Sequence, residues 1–444
     1  MSLARFGIDP VTGFVPPAPI PTALPAGAAA WDALVPSLSA HLRAHTIRDA
    51  LRALPPLDLA TCDTPGERER AFLLLTHVAN AYVWGGAAPD LTIPATLPPS
   101  GAAWDALVPN LSAHLRSHTI RDAIEALPPL DLATLDAPAE RERAFLLLTH
   151  YANAYVWGGA TPDLHIPAVL ARPLCALATQ LGRPPIAHYA TMTLHNWTLV
   201  DPSRPLGVDN ARTQVRFLGG VDEDWFFIAS MGVELAGAPL LPIVWDATAV
   251  SIDGSDDALR AHLEAFTVGI PGVHSALEAV RRWCDPHTYY HRVRPYVTGW
   301  PAPGVVYEGV DVAPRRYLGG SAGQSALIQS FDAVLGVHHP DAPAGAYLRM
   351  VRDYMPPPHR AFVTEVERTS RVRARAEAGS PALRAAYDGA IDAVARFRAA
   401  HLRLAHDYIV APAGTRDATG TGGTALEDFL RGAQGDTEQA RLAR

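Results

Sequence analysis

Residues 30–95 recur almost unchanged as residues 103–168, displaced by 73 positions, with only ten of the 66 paired residues differing. Both copies carry Trp-Asp-Ala-Leu-Val-Pro, Glu-Arg-Glu-Arg-Ala-Phe-Leu-Leu-Leu-Thr-His and Asn-Ala-Tyr-Val-Trp-Gly-Gly. A unit present twice is not a solenoid, which needs at least three stacked repeats to bury its faces. The expectation is one small unit copied in tandem. Leu38, Leu42, Ile47, Leu51 and Leu54 recur at helical spacing, as do Phe72, Leu75, Ala79 and Tyr82. Each copy is therefore expected to hold two or more helices joined at the Leu-Pro-Pro-Leu-Asp-Leu turn.

The rest of the chain keeps the helical period. Leu259, His262, Leu263 and Phe266 share a face, and so do Leu277, Val280 and Trp283. The strongest signal is a helix from Leu383 to Val410, opened by Gly379-Ser380-Pro381 and stopped by Pro412. Strand signals are few and short, around Thr213 to Phe217 and Phe226 to Ala229, so no large sheet is expected.

At 444 residues and 48% apolar composition the chain can bury a sizeable core. Its net charge of −8 comes from a charged content of only 18%, without a basic stripe. Nucleic acid and anionic membranes are therefore poor partners, and a small molecule is the expected one. Cys62, Cys175 and Cys284 lack the paired spacings of a zinc site or disulfide framework, which points to a reducing compartment. The N-terminus has no apolar signal region and no run of eighteen apolar residues occurs, so a cytoplasmic location is expected.

Gly319-Gly320-Ser321-Ala322-Gly323 matches the G-x-S-x-G pattern of hydrolases. That elbow needs a strand before it and an alternating strand and helix pattern, both missing here, so a glycine-rich loop opening a helix is the better reading. Gly420-Thr421-Gly422-Gly423 resembles a phosphate loop but lacks the βαβ unit of a dinucleotide site. It reads as a loop that closes over a ligand.

Among eighteen histidines, His41, His45 and His77 are copied as His114, His118 and His150, as expected of structural helices. His338-His339 precedes a proline in a loop. His401 differs, because Val394, Phe397, Leu404, Ala405 and Tyr408 lie on its helix face. Spacing alone leaves two readings, a core histidine or the single protein ligand of a five-coordinate haem.

Seven separated stretches together resemble the indoleamine 2,3-dioxygenase family. They are residues 153–158 (Asn-Ala-Tyr-Val-Trp-Gly), Asn196-Trp197, residues 224–230 (Asp-Trp-Phe-Phe-Ile-Ala-Ser), 319–325, 352–357 (Arg-Asp-Tyr-Met-Pro-Pro), 398–402 (Arg-Ala-Ala-His-Leu) and 420–424. The resemblance implies an all-α, two-domain protein: a small N-terminal domain, residues 1–215 with the duplication, capping a haem domain, residues 216–444. It implies haem b with His401 as proximal iron ligand, Arg398 and Ser321 also touching the cofactor, and dioxygen as co-substrate. Ser230, Phe226 and Arg294 are then the catalytic residues, with Arg294 holding a substrate carboxylate. Tyr189, Met192, Tyr289, Gly320, Ser321, Ala322 and Thr421 complete the substrate pocket. The implied reaction cleaves the indole C2–C3 bond of tryptophan, giving N-formylkynurenine and opening the kynurenine pathway, in a monomer. A haem-binding sensor without turnover is the alternative, and a helical interaction scaffold is a third reading. Two features depart from the family: Tyr289 and Tyr290 stand where phenylalanines are usual, and the N-terminal unit is doubled, the second copy expected in the usual place.

Overall fold

The computed structural model describes residues 53–54, 93–340, 343–414, 420–421 and 425–442. The chain forms two compact units, residues 1–91 and 92–444. Nearly all of the first repeat copy, with Cys62, His41, His45 and His77, lies outside the described residues.

The second copy is helical as its spacing predicts: Ala102–Leu107, Leu111–Arg116, Ile120–Glu125 and Pro138–Trp157. The last is buried from Glu142 to Val156, its polar residues Glu142, Arg143, Thr149, His150 and Asn153 included. The shorter helices fold back onto it. Tyr151 donates its hydroxyl to the Trp104 carbonyl at 2.6 Å, Trp104 donates its indole N–H to Pro128 O at 3.0 Å, and Arg143 pairs with Asp105 at 2.7 Å.

The core is built round the helix Pro381–Ala405, which packs along Asp256–Glu278, with Val221–Gly237, Leu240–Asp253 and Ala326–Leu335 around it. Leu259, Leu263, Phe266, Tyr387, Ile391 and Val394 are buried between them, each such side chain worth about 1.5–3 kcal/mol of transfer free energy. Serine hydroxyls start three of these helices by accepting orphan backbone N–H groups: Ser255 from Ala258, Ser325 from Leu327 and Ser380 from Leu383.

Sheet is minimal among the described residues. Two-residue strands pair His165–Ile166 with Val306–Tyr307 in parallel, and Thr198–Leu199 with Ala211–Arg212 antiparallel. The strand expected at Phe226 to Ala229 is instead the middle of the helix Val221–Gly237. A short apolar run fits a buried strand or a buried helix equally, and Asp222, Glu223 and Asp224 in its first turn favour the helix dipole. Thr213 to Phe217 is irregular, its backbone held by Asn196, whose side-chain oxygen accepts from the N–H groups of Gln214 and Val215.

Residues Val221–Asp253 are, by length and composition, the one apolar stretch among the described residues long enough to cross a membrane. Its two helices break at Ala238 and Pro239, and Leu240, Val244 and Ala247 belong to the core cluster. Packing thus buries half of its most apolar window.

Asn153, in the first family-like stretch, is a staple. Fully buried, it accepts from Ala187 N at 3.1 Å and donates to Tyr296 O at 2.8 Å, tying three distant segments. Asn153→Ala leaves both backbone groups unpaired and is expected to cost about 2–6 kcal/mol, at about 1–3 for each stranded group. Thermal or urea unfolding of the variant measures it; a change below 1 kcal/mol (an estimate on the order of one ordinary hydrogen bond) would contradict the staple role.

Candidate functional site

His401 sits one turn before the end of the helix Pro381–Ala405. The hydroxyl-capped start and the apolar face around Val394 and Phe397 fix the helix in the core, so the imidazole projects inward. It stands at the junction of two adjoining cavities of about 140 and 100 Å³, lining both. The side chain is half-buried, facing these cavities, and has no hydrogen-bond partner among the described residues. Burial, with the positive charge of Arg398 one turn away, pulls its pKa down to about 4. It is therefore neutral at physiological pH, with a nitrogen lone pair available.

The larger cavity is walled by Phe226, Val280, Tyr289, Leu404, Tyr408, Ile409 and Phe429, with Gly320, Ser321, Ala322 and Thr421 along one side. Phe226 and Tyr289 face each other with ring centroids 4.3 Å apart at 32°. Tyr408 meets Tyr289 edge-on at 5.9 Å. The smaller cavity holds Tyr189, Ser230, Glu234, Ser325, Phe397 and Arg398, and shares Ala322, Gly323, His401, Phe429 and Leu430 with the larger. Apolar groups thus surround one unpartnered imidazole, with a few polar groups at the margins, the usual make-up of a small-molecule site.

The glycine-rich segment is a loop, as its sequence suggests. Gly319 passes so close to the backbone of Val297, Thr298 and Gly299 that a Cβ there would collide with it. Gly320 donates to Val297 O at 3.0 Å and packs on the Met192 thioether methyl. Ser321 accepts from Gly323 N at 3.2 Å and from the Tyr347 hydroxyl at 2.9 Å. It caps the turn Ala322–Gln324 before the helix Ala326–Leu335, and among the described residues no histidine bonds it, so the hydrolase reading gains no support. Thr421 closes the wall by bonding Gly320 O through its hydroxyl, while its carbonyl accepts from Gly319 N at 3.2 Å.

Three π-helical segments border this space: Ala190–Leu194, Tyr289–Val293 and His406–Val410. Each inserts an extra residue into a helical turn, a distortion that collects at functional sites. They follow or contain Tyr189, Met192, Tyr289, Tyr408 and Ile409. No sequence period announces them. The expected single helix running to Val410 is accordingly α-helical only to Ala405.

Of the residues singled out from the sequence, His401, Arg398, Phe226, Ser230, Tyr189, Tyr289, Gly320, Ser321, Ala322 and Thr421 all line this double cavity. Met192 stands behind Gly320 rather than in the lining. Arg294 is also outside the lining, its guanidinium over the Tyr290 ring at 5.0 Å and close enough to Tyr289 to act on its hydroxyl. Glu234 was missed, although it lies one helical turn beyond Ser230 as Ser230 lies beyond Phe226. It accepts hydroxyl bonds from Tyr189 at 2.8 Å and Ser325 at 2.7 Å. Burial raises its pKa, the two hydroxyls opposing.

Comparison with known proteins agrees with this geometry. The family model described as indoleamine 2,3-dioxygenase matches residues 2–100 and 95–440. The chain belongs to the indoleamine 2,3-dioxygenase family. It is 30% identical over 403 residues to indoleamine 2,3-dioxygenase 1 of Rattus norvegicus, covering 86% of this chain and 98% of the relative. It is 31% identical over 372 residues to the Mus musculus protein of that name, covering 78% and 91%. To indoleamine 2,3-dioxygenase of Saccharomyces cerevisiae it is 31% identical over 339 residues, covering 70% and 75%. The all-α architecture is that of the indoleamine 2,3-dioxygenase family, and the two matched ranges each begin near one copy of the duplicated unit.

Proposed function

We propose that this chain is a haem-dependent dioxygenase that opens the indole ring of L-tryptophan, or a related indoleamine, between C2 and C3 to give N-formylkynurenine. The observation that carries the reading is His401, a neutral imidazole without a hydrogen-bond partner among the described residues, lining both of two adjoining apolar-walled cavities. The residues present fit a haem. A haem would need an imidazole for its iron and apolar side chains against the macrocycle, and a nitrogen deprotonated at neutral pH is ready to bind metal. His401 would hold the iron, with Phe397, Leu404, Phe429 and Leu430 against the ring and Arg398 and Ser321 on its polar edge. When bound, ferrous haem supplies the dioxygen chemistry.

The protein's own part is orientation. Phe226 and Tyr289, already 4.3 Å apart, would part to take the flat indole, and Ser230 would offer a hydroxyl beside it. Ser230 now donates to the Phe226 carbonyl at 2.8 Å, leaving its oxygen lone pairs to accept. Arg294 would clamp the carboxylate, a role suited to a permanently charged planar fork. Thr421, bonded to Gly320, would close the entrance and exclude water. The free thiols of Cys175 and Cys284, both buried, support a reducing, cytoplasmic setting.

An absorbance spectrum of the purified protein with added haem, before and after tryptophan, tests the reading. A Soret band that shifts on adding tryptophan, with formylkynurenine formed under a reductant, is the expected result; a protein that takes up no haem overturns it.

Tyr289 gives a sharper check. Its hydroxyl has no hydrogen-bond partner among the described residues, and burial raises its pKa, so it places an unpaired polar group against an apolar ring. Removing that group in Tyr289→Phe is expected to lower KM for tryptophan about fivefold, in line with about 1 kcal/mol for an uncompensated hydroxyl. An increase in KM would mean that the hydroxyl bonds the substrate.

A further inference from the structure

The histidine pair before Pro340 has a use that neither its loop position nor the family reading suggests. His338 is exposed. His339 turns inward, and both of its ring nitrogens meet carboxylates: Nδ1 lies 2.8 Å from Asp436 and Nε2 lies 3.2 Å from Asp332. Asp332 also receives Arg398 on the same oxygen. Four groups from four segments thus converge: Asp332 on the helix Ala326–Leu335, His339 after it, Arg398 on the histidine-bearing helix and Asp436 on the C-terminal helix Leu426–Gln439. All four side chains are largely shielded, the most open being 17% exposed.

An imidazole can donate from both nitrogens only when it carries its second proton. With that proton the cluster is balanced, two cations against two carboxylates. Without it, one carboxylate loses its donor and the cluster carries a net negative charge away from bulk water.

The C-terminal helix matters to the site because Leu426, Phe429 and Leu430 wall the cavities that meet at His401. At one end Glu427 pairs with His406 at 2.8 Å, and beyond its other end Leu442 N donates to Asp388. Asp436 is its anchor to the segment below Arg398.

We propose that His339 is a positioning residue that fastens the C-terminal helix over the His401 cavity, by donating one ring N–H to Asp436 on that helix and the other to Asp332, which also holds Arg398. This rests on the dioxygenase reading only for what the cavity contains. Among the described residues, the charged groups facing His339 are Asp332, Asp436 and Arg398. Burial and Arg398 oppose its charge, but the two carboxylates prevail and hold its pKa above the ordinary value. A histidine with a raised folded pKa contributes its full stabilisation below the unfolded value of about 6.5 and loses it as pH rises through the folded value. The fastening therefore weakens on the alkaline side.

The test is hydrogen–deuterium exchange of the amides in residues 426–439 of the full chain, with and without added haem, from pH 5.5 to 8.5 after correction for intrinsic exchange. In the wild type, protection of this helix is expected to fall about tenfold or more across that range, the weight of one charge-assisted hydrogen bond. His339→Gln should exchange fast at every pH, and Asp436→Asn should match it from the opposite side of the contact, which keeps the test open if either variant folds poorly. His339→Arg, which keeps the charge and several donors, should be protected with a flattened pH profile. With haem loaded, transfer of haem to an acceptor apoprotein should quicken about tenfold in His339→Gln, by the same loss of one charged hydrogen bond. Wild-type protection and pH profile in both His339→Gln and Asp436→Asn would overturn the proposal. A chain that binds no haem but shows the exchange pattern would sink the dioxygenase reading and leave the fastening intact.

Discussion

His401→Ala is expected to give a folded protein that no longer holds haem and no longer forms formylkynurenine. Alanine is the best helix former, and the imidazole it replaces makes no hydrogen bond within the described residues, so no partner is stranded. Burial already disfavours charging this ring, as its pKa of about 4 records. Melting of the cofactor-free variant should therefore match the parent at pH 7. Haem affinity behaves oppositely. Loss of an outer-shell partner of a metal ligand costs about 10–100-fold in affinity, so loss of the ligand itself should cost at least about a hundredfold. Soret titration measures this, and wild-type affinity with intact turnover would remove the central assignment. Phe397→Ala is a useful contrast, because it opens the apolar wall without touching the ligand. It should weaken haem binding less while destabilising the apoprotein by about 3–5 kcal/mol, the usual cost of a large cavity.

The site was legible in the sequence where one helix face carries it. Ser380, the apolar stripe and His401 share a single periodic segment, and the structure places them as that period dictates. Phe226 and Ser230 were assigned from the family resemblance, while the local pattern around Phe226 suggested a strand. The helix they occupy was decided by acidic residues in its first turn and by core packing. Glu234 continued the same four-residue spacing and could have been found from it. The π-helical turns at Ala190, Tyr289 and His406 could not, because each is a local insertion that satisfies packing against other segments. The His339 cluster was equally hidden: its members are 332, 339, 398 and 436, and only the folded chain brings four such distant residues together.

One of those π turns bears on the largest catalytic effect expected from a single substitution. In an α-helix, residues five apart lie well past one turn and point in different directions. Here the Arg294 N–H follows the i to i+5 pattern of a π turn that begins at Tyr289, which brings Arg294 towards the face that carries the cavity-lining tyrosine. Its guanidinium lies 5.0 Å from the centre of the Tyr290 ring, outside the cavity lining. That suits a clamp for a carboxylate whose indole lies deeper, between Phe226 and Tyr289. Arg294→Ala should lower kcat/KM for tryptophan by about a hundredfold, equivalent to about 2.7 kcal/mol and within the range for a charged hydrogen bond. Tryptamine, which lacks the carboxylate, discriminates clamp from scaffold. Its turnover should be nearly unchanged in the variant if Arg294 acts on the carboxylate, and should fall in parallel with that of tryptophan if the arginine merely supports the π turn.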